Sequence, residues 1–358
     1  MDINALIQTL KSAVPQVAEL CCIVNGALMN LDEIQNMGYN EFSIRAKLNM
    51  PPKLYKYFPN RTTKLIDEKS GKPIADENTG KSKTVNYNIQ SLRDNTVFMQ
   101  FPSLFDDVYD SDISLDYNDY EKIRLLEYCK RCELNVCDSM TTQELGNALL
   151  QLIVESVNAT GNFDSIFKRK PDSKIEELSN ANFLLKLKNE LIENRNWSTA
   201  LSCVIISDFK NYSQYLQNMF RATCFATTPY SQLMWGGSYA DCHRGFCVEY
   251  TILPNDPQYQ NLFLNLFPMI YCKVRPNMTE RLAKFENKEM TKEILWDIYF
   301  HGALRKSIDW AFQNEWRLLL PMERSVAAKD YCVPFLPTTK VFLGNRMAQA
   351  GRQQIIDI

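Results

Sequence analysis

The sequence predicts an α+β fold with a mixed or antiparallel sheet, in which strands from both ends of the chain meet across a cleft. Three observations predict it. Short apolar runs of strand type appear soon after residue 50 and again beyond residue 220. Between them, from about 120 to 220, the apolar residues recur at helical spacing. The two patterns are segregated rather than alternating, which disfavours a βαβ sheet.

Residues 4–32 read as one or two helices broken near Pro15 and Gly26, and residues 1–50 as an N-terminal helical appendage. The pair Pro51-Pro52 closes that segment, because proline forces its predecessor out of helical geometry. One domain is then expected over 51–358, with a large helical insertion at about 120–220. KLYKYF (53–58) alternates apolar and polar residues as a half-buried strand does. The polar run 61–85, with Gly71, Pro73 and Gly80, reads as a mobile loop or flap. TVFMQF (96–101) is the next strand, and the acidic turn SLFDDVYDSD follows. In the helical block, Thr141 and Glu144 form a capping-box signature and Gly161 stops the helix that it opens. Phe183, Leu184, Leu187 and Leu191 make a core stripe on another helix. Strands are expected at 222–226, 246–252, 269–274, 316–321 and 340–344, with a helix at 291–306 among them. No internal repeat is apparent.

Composition narrows the function classes. At 358 residues and 45% apolar content the chain can bury a full core, and its net charge of -2 gives no global attraction to nucleic acid or membrane. There is no run of about 18 apolar residues, so no membrane span is expected. The start, MDINALIQTLKSAVPQVAELCC, lacks the basic region of a secretory signal. Eleven cysteines, an odd number, with Cys224, Cys247 and Cys272 inside apolar strands, fit reduced thiols in a cytoplasmic protein. Cys129-Lys-Arg-Cys132, with Cys137 beyond it, has no second pair or histidine at zinc spacing. A helix end with half-buried thiols is the better reading, and no metal is expected.

Two distant segments concentrate the chemistry: LMWGGSYADCHRGFCVEY (233–250) and SIDWAFQNEWRLLLP (307–321). No GxSxG elbow is present, so a Ser-His-Asp or Cys-His arrangement has no local support, and the absence of a Walker lysine loop and of GxGxxG removes the NTPase and dinucleotide-fold readings. Gly236-Gly237 allows close backbone approach to a ligand. His243, one of two histidines, falls in the turn leading into the strand 246–252 and is either structural or a ligand contact. Asp106, Asp107, Asp110 and Asp112 suit either a solvated turn or a divalent cation. Glu315 enters an apolar strand among Trp310, Phe312 and Trp316, where a carboxylate needs a partner or a purpose. Arg317, two residues on, shares its strand face and is the obvious partner.

Taken in order, these segments resemble a bacterial family, domain-of-unknown-function family 2971, over about residues 53–358. The resemblance rests on the opening strand Leu54 to Tyr57, the turn Phe105-Asp106-Asp107-Val108 closed by Asp110, and the central block Cys224-Phe225, Met234-Trp235, Tyr239-Ala240-Asp241, His243 and Gly245. It continues through Trp310 and Gln313-Asn314-Glu315-Trp316-Arg317 to Val341 to Arg346. Asp106 and Val108 stand where the family has asparagine and proline, and Gln313 where it has its first glutamate.

A remoter similarity is to the ADP-ribosyltransferase superfamily, whose Gln/Glu-x-Glu motif resembles Gln313-x-Glu315. It implies a split β-sheet clasping NAD, with Glu315 as the catalytic carboxylate that stabilises oxocarbenium charge on the ribose. It also implies Tyr239 or Trp235 on the nicotinamide, Lys56 and Tyr57 on the opposite strand, His243 and Arg317 beside them, and the segment 61–85 as a cover. NAD would be a substrate and the acceptor a nucleic acid, a protein or water, as in a toxin or phage-defence effector. Two other readings stand beside it. One is a nucleic-acid-processing or binding protein that does not use NAD. The other is a non-catalytic module in which Trp235, His243, Glu315 and Arg317 form a buried structural network.

Overall fold

The computed structural model describes residues 20–67, 69–76, 79–105, 110, 116–160, 186–187, 189–190, 193, 196–218, 220–273, 279, 302–321 and 331–358, with residues 5, 8 and 12. The fold is α+β, with sheets that are antiparallel or mixed. The chain divides into two compact units, Met1–Ser111 with Asn218–Arg275 and Ala303–Ile358, and Asp112–Gln217 with Pro276–Gly302.

The described strands all lie in the first unit. In chain order they are β1 (Cys21–Val24), β2 (Ala27–Asn30), β3 (Lys53–Phe58), β4 (Thr63–Lys64), β5 (Thr84–Val85), β6 (Thr96–Phe98) and β7 (Phe220–Ala226). There follow β8 (Phe246–Thr251), β9 (Leu266–Pro268), β10 (Ile270–Cys272), β11 (Arg305–Ser307), β12 (Glu315–Pro321), β13 (Cys332–Pro334) and β14 (Thr338–Leu343). A six-stranded sheet has the order β14-β8-β3-β7-β12-β9, with every neighbouring pair antiparallel.

This sheet is split in its middle. Strand β3 pairs with β8 along its whole length, from Lys53↔Thr251 to Phe58↔Phe246, and β7 pairs with β12 from Glu315↔Ala226 to Pro321↔Phe220. Between β3 and β7 the ladder holds only Tyr55↔Ala226. On one side of the sheet Leu54, Phe225, Phe246, Val248, Trp316 and Leu318 are buried, and Phe335 stacks on Phe225 at 4.7 Å. Each such side chain stabilises the fold by roughly 1.5–3 kcal/mol. Alternation along β12 then puts Glu315 and Arg317 on the other side, where they are buried as well.

Residues 20–30 correct the helical reading of the N-terminal segment. They form the hairpin β1–β2, which joins the four-stranded sheet β11-β10-β1-β2 and is part of the first unit rather than an appendage. The cause is the pair Asn25-Gly26, with φ of 48° and 74°, between Val24 and Ala27. Two consecutive positive φ angles are what a two-residue hairpin turn demands, and Asn-Gly is the pair that supplies them best. The helical expectation over 291–306 is likewise corrected at its end, since 305–307 is strand β11; residues 291–301 lie outside the described residues.

The described residues of the segment 61–85 form a stack of tight turns joined by short strand pairings. β4 pairs β5, and Ile66↔Pro73 and Ala75↔Ser82 bridge the two tight turns. Asp67 Oδ1 accepts from the N–H and hydroxyl of Ser70, at 2.7 Å each, and the Gly71 N–H donates to Asp67 O. The same device returns nine residues on, where Asp76 accepts from Thr79 and the Gly80 N–H donates to Asp76 O. The segment therefore carries a short repeat that the sequence reading passed over, Asp-x-x-Ser/Thr-Gly-Lys at 67–72 and 76–81.

The second unit contains the helices Tyr117–Arg131, Thr142–Thr160 and Trp197–Gln217 around a core of Leu125, Cys129, Leu145, Leu149, Ile153 and Val204. The capping box forms as expected: Thr141 N–H donates to Glu144 Oε2 at 2.7 Å and Glu144 N–H to Thr141 Oγ1 at 3.2 Å. Leu187 of the core stripe is buried there, while Gly161, Phe183, Leu184 and Leu191 lie outside the described residues. Cys132 caps the first of these helices, with Cys129 buried inside it. Among the described residues no helix is long and apolar enough to cross a membrane.

Candidate functional site

Where β3 and β7 part, the first unit opens a cavity of about 340 Å³. Its walls are residues 55–59 of β3 and its exit, residues 222–226 of β7, and Tyr239, Gln313 and Glu315. No described residue of the segment 61–85 lines it. The split thus makes the site: a continuous ladder would have filled this space with paired backbone.

Among the described residues, the cavity floor is a buried network of four charges. Arg317 grips Asp110 through both ends of its guanidinium, Nη1 to Oδ1 and Nη2 to Oδ2, each at 2.9 Å. It also donates from Nε and Nη2 to Glu315 Oε1, at 2.9 and 2.8 Å, and from Nη1 to the Ala303 carbonyl. Lys306 Nζ lies 2.9 Å from Asp110 Oδ2 and 3.3 Å from Glu315 Oε2, and donates to Gln313 Oε1 at 3.0 Å. All four side chains are nearly inaccessible, between 0% and 6% exposed. Isolated charges so placed would be strongly disfavoured, and only their mutual pairing keeps them ionised.

The titration behaviour follows from the geometry. Burial pushes Glu315 and Asp110 upward, but Arg317 and Lys306 outweigh it and hold both below the usual carboxylate range. For Lys306 and Arg317 burial acts downward, and the two carboxylates overcome it and raise both. Burial, reinforced by the Glu315 charge, pushes the Cys224 thiol up to about 12. The Tyr239 phenol is likewise raised to about 12, mainly by burial, and accepts a hydrogen bond from Gln313 Nε2 at 2.6 Å. At neutral pH the floor therefore presents an ionised carboxylate, a neutral phenol and a neutral thiol.

Lys56 stands apart from this network. It crosses the split from β3 and donates to Thr223 Oγ1 at 2.7 Å and to the Cys224 carbonyl at 3.1 Å. It thereby satisfies a carbonyl left without its β3 partner. The rings of Phe58 and Phe225 lie 5.7 and 5.4 Å from its nitrogen. No carboxylate among the described residues comes within ion-pair distance, and desolvation lowers its pKa despite the attraction of Glu315.

Of the residues singled out in the sequence, Lys56, Tyr57, Tyr239 and Glu315 line the cavity, and Arg317 sits behind Glu315. Trp235 and His243 are not among the residues that line it. They stack on each other at 5.9 Å with planes 9° apart, and Trp235 packs edge-on against Tyr57 at 5.4 Å. Trp235 Nε1 donates to Pro229 O, and the Tyr57 hydroxyl donates to Thr228 O and accepts from Ser231 N–H. These residues brace the chain beside the cavity. The bracing turn is strained: Asp241, Cys242 and His243 all have positive φ, at 49°, 52° and 67°. Asp241 holds it by accepting from Arg61 and Arg244.

Sequence reasoning does not separate Asp110 from its neighbouring aspartates, and it misses Lys306. The acidic cluster suits a solvated turn or a divalent cation, yet Asp110 is 2% exposed and carries two ion pairs; Asp106, Asp107 and Asp112 lie outside the described residues. Lys306 was hidden in the expected helix over 291–306. The available signal was arithmetic: a buried Glu315–Arg317 pair leaves guanidinium donors over, and these need a second carboxylate. Among the described residues no group of three or more His, Cys, Asp and Glu is arranged to hold a metal. No protein-family model, no curated protein and no solved structure matches this chain.

Proposed function

We propose that the cavity in the split sheet is the active site of an NAD-consuming enzyme that breaks the nicotinamide–ribose bond and passes the ADP-ribosyl group to an acceptor or to water. One observation carries the reading: Glu315 faces the cavity as an ionised carboxylate, with Gln313 on the same wall. Heterolysis of that bond leaves its electron pair on nicotinamide and positive charge on the ribose. A fixed carboxylate lowers the barrier by stabilising the charge as it develops, and needs no reorganisation because Arg317 and Lys306 already hold it. Gln313 and Tyr239 supply neutral hydrogen-bonding groups beside it, and Tyr57 and Tyr239 supply aromatic surface. The acceptor, taken here as nucleic acid, protein or water, attacks the ribose carbon and releases its proton to solvent.

A second reading has its own observation. Both Glu315 oxygens are engaged by Arg317 and Lys306, which describes a structural network equally well. A paired assay separates the two. The protein is incubated with NAD and nicotinamide release is measured, for the wild type and Glu315→Gln, alongside thermal unfolding of each. The catalytic reading expects wild-type release and a loss of about a hundredfold or more in the variant, with little change in Tm. A wild type that never releases nicotinamide, with a variant of sharply lower Tm, overturns it in favour of the structural reading.

A further inference from the structure

Among the described residues, the charges lining the cavity do not balance. Asp110 and Glu315 are matched by Lys306 and Arg317, two negative against two positive, each carboxylate within 3.3 Å of both cations. That quartet is neutral. Lys56 adds one more basic group to the cavity wall, one that desolvation biases toward its neutral form, and it has no carboxylate partner among the described residues. Its ammonium has three donors, and two are used, on Thr223 Oγ1 and Cys224 O. The third remains for whatever occupies the cavity. Thr223, accepting from Lys56, keeps its own hydroxyl hydrogen to donate, and Ser91 adds a second hydroxyl to the lining. An unmatched, desolvated cation beside hydroxyl donors is an arrangement that an anion with several oxygens completes.

We propose that this cavity binds its ligand through a phosphate group seated on Lys56 and Thr223, at the split between β3 and β7. The inference rests on the cavity being the substrate site, as proposed above, and specifies the group by which a substrate is held. The phosphate supplies the negative charge that the wall lacks, so its arrival neutralises Lys56 without disturbing the quartet beneath. Desolvation makes the unliganded ammonium costly, and the same desolvation strengthens its attraction to an anion. The site therefore favours a phosphorylated nucleoside over the same nucleoside without phosphate. Lys56 is a binding residue in this account and takes no part in bond breaking.

The test is calorimetric titration of the full chain with AMP, adenosine, NAD and inorganic pyrophosphate, without any readout of turnover. Wild type is expected to bind AMP at least about tenfold more tightly than adenosine. In Lys56→Met that preference should shrink to within about twofold, whereas Lys56→Arg should retain most of it. Circular dichroism confirms that the variants are folded, and the wild-type comparison stands if Lys56→Met does not fold. Pyrophosphate separates recognition of a phosphate alone, which competes with AMP, from recognition that needs the nucleoside, which leaves AMP undisplaced; either supports the seat if AMP outbinds adenosine. Equal affinity for AMP and adenosine, no binding of either, or an undiminished preference in folded Lys56→Met overturns it. Phosphate-dependent binding without nicotinamide release would sink the catalytic reading alone. Nicotinamide release with no phosphate preference would sink this inference alone.

Discussion

Arg317 and Asp110 meet in a two-pronged ion pair, 2.9 Å at each prong, although 207 residues separate them in the chain. The pair sits under Glu315, so the orientation of the only carboxylate proposed to act on substrate is set from behind by another carboxylate, through a shared arginine and lysine.

Removing the Asp110 charge should therefore be felt as instability. Asp110→Asn leaves Arg317 and Lys306 with a single carboxylate between them in a site that excludes water. Breaking a buried pair in this way typically costs roughly 3–5 kcal/mol. Urea unfolding of wild type and variant gives the difference. A loss within experimental error of zero would show that the network is open to water and contradict the burial described above.

The six-stranded sheet was largely legible in the sequence, and the hairpin at its neighbour was not. KLYKYF, the 246–252 run and WRLLLP became β3, β8 and most of β12: the first alternates as a half-buried strand does, and the other two are short, largely apolar runs of the kind buried on both faces. CCIVNGALMN has no alternation, and its Asn-Gly turn was read as a helix break instead of a hairpin. At the site, Glu315 and Arg317 were visible because charge inside an apolar strand is conspicuous. Asp110 was not, since an aspartate among aspartates gives no sign of which one is buried. The place of Lys56 could be guessed, but its lack of a carboxylate partner depends on the sheet being open there, which no local pattern encodes.

Gly344 and Gly245 should tolerate no side chain. A Cβ at Gly344 would lie 2.1 Å from the His243 carbonyl oxygen, and one at Gly245 would lie 2.1 Å from that of Phe58. Both obstacles are backbone, so relief requires moving β3 or the strained turn beside Trp235. Gly344→Ala and Gly245→Ala are each expected to destabilise by about 1–3 kcal/mol or to yield insoluble protein. Gly236→Ala, whose Cβ would meet nothing within 4 Å, is the control and should retain the wild-type Tm. Equal Tm values for all three would refute the tight packing.

Strain in the turn at 241–243 gives a prediction of opposite sign for glycine and for a branched residue. Cys242 is exposed and has φ 52°, in the left-handed region where a Cβ costs about 1–2 kcal/mol. Cys242→Gly relieves this at the expense of greater freedom in the unfolded chain, so Tm should stay level or rise slightly. Cys242→Val adds β-branching to an unfavourable backbone and should lower stability by roughly 1–2 kcal/mol. Thermal melts of the two variants decide it, and a valine variant as stable as the glycine variant would mean that the turn relaxes.

Lys47 should make stability depend on pH in the alkaline range. Its ammonium donates to the Leu266 carbonyl and lies 4.1 Å from the Phe267 ring centre and 5.4 Å from that of Phe263. Desolvation there lowers its pKa from 10.5 to about 7. The unfolded chain, with the higher pKa, binds more protons at this site between those two values, so raising the pH through that interval favours the folded state. Below about pH 7 both states carry the proton and the fold bears the whole cost of the desolvated charge; above 10.5 neither does and that cost has gone. Lys47→Met keeps much of the apolar stem without the charge. Cysteines and tyrosines titrate in the same interval, so the quantity to follow is the Tm of the variant minus that of wild type, from pH 6 to 10. This difference should be most positive at the acid end and decrease steadily as pH rises. A difference that does not change with pH would show that Lys47 remains solvated and titrates as an ordinary surface lysine.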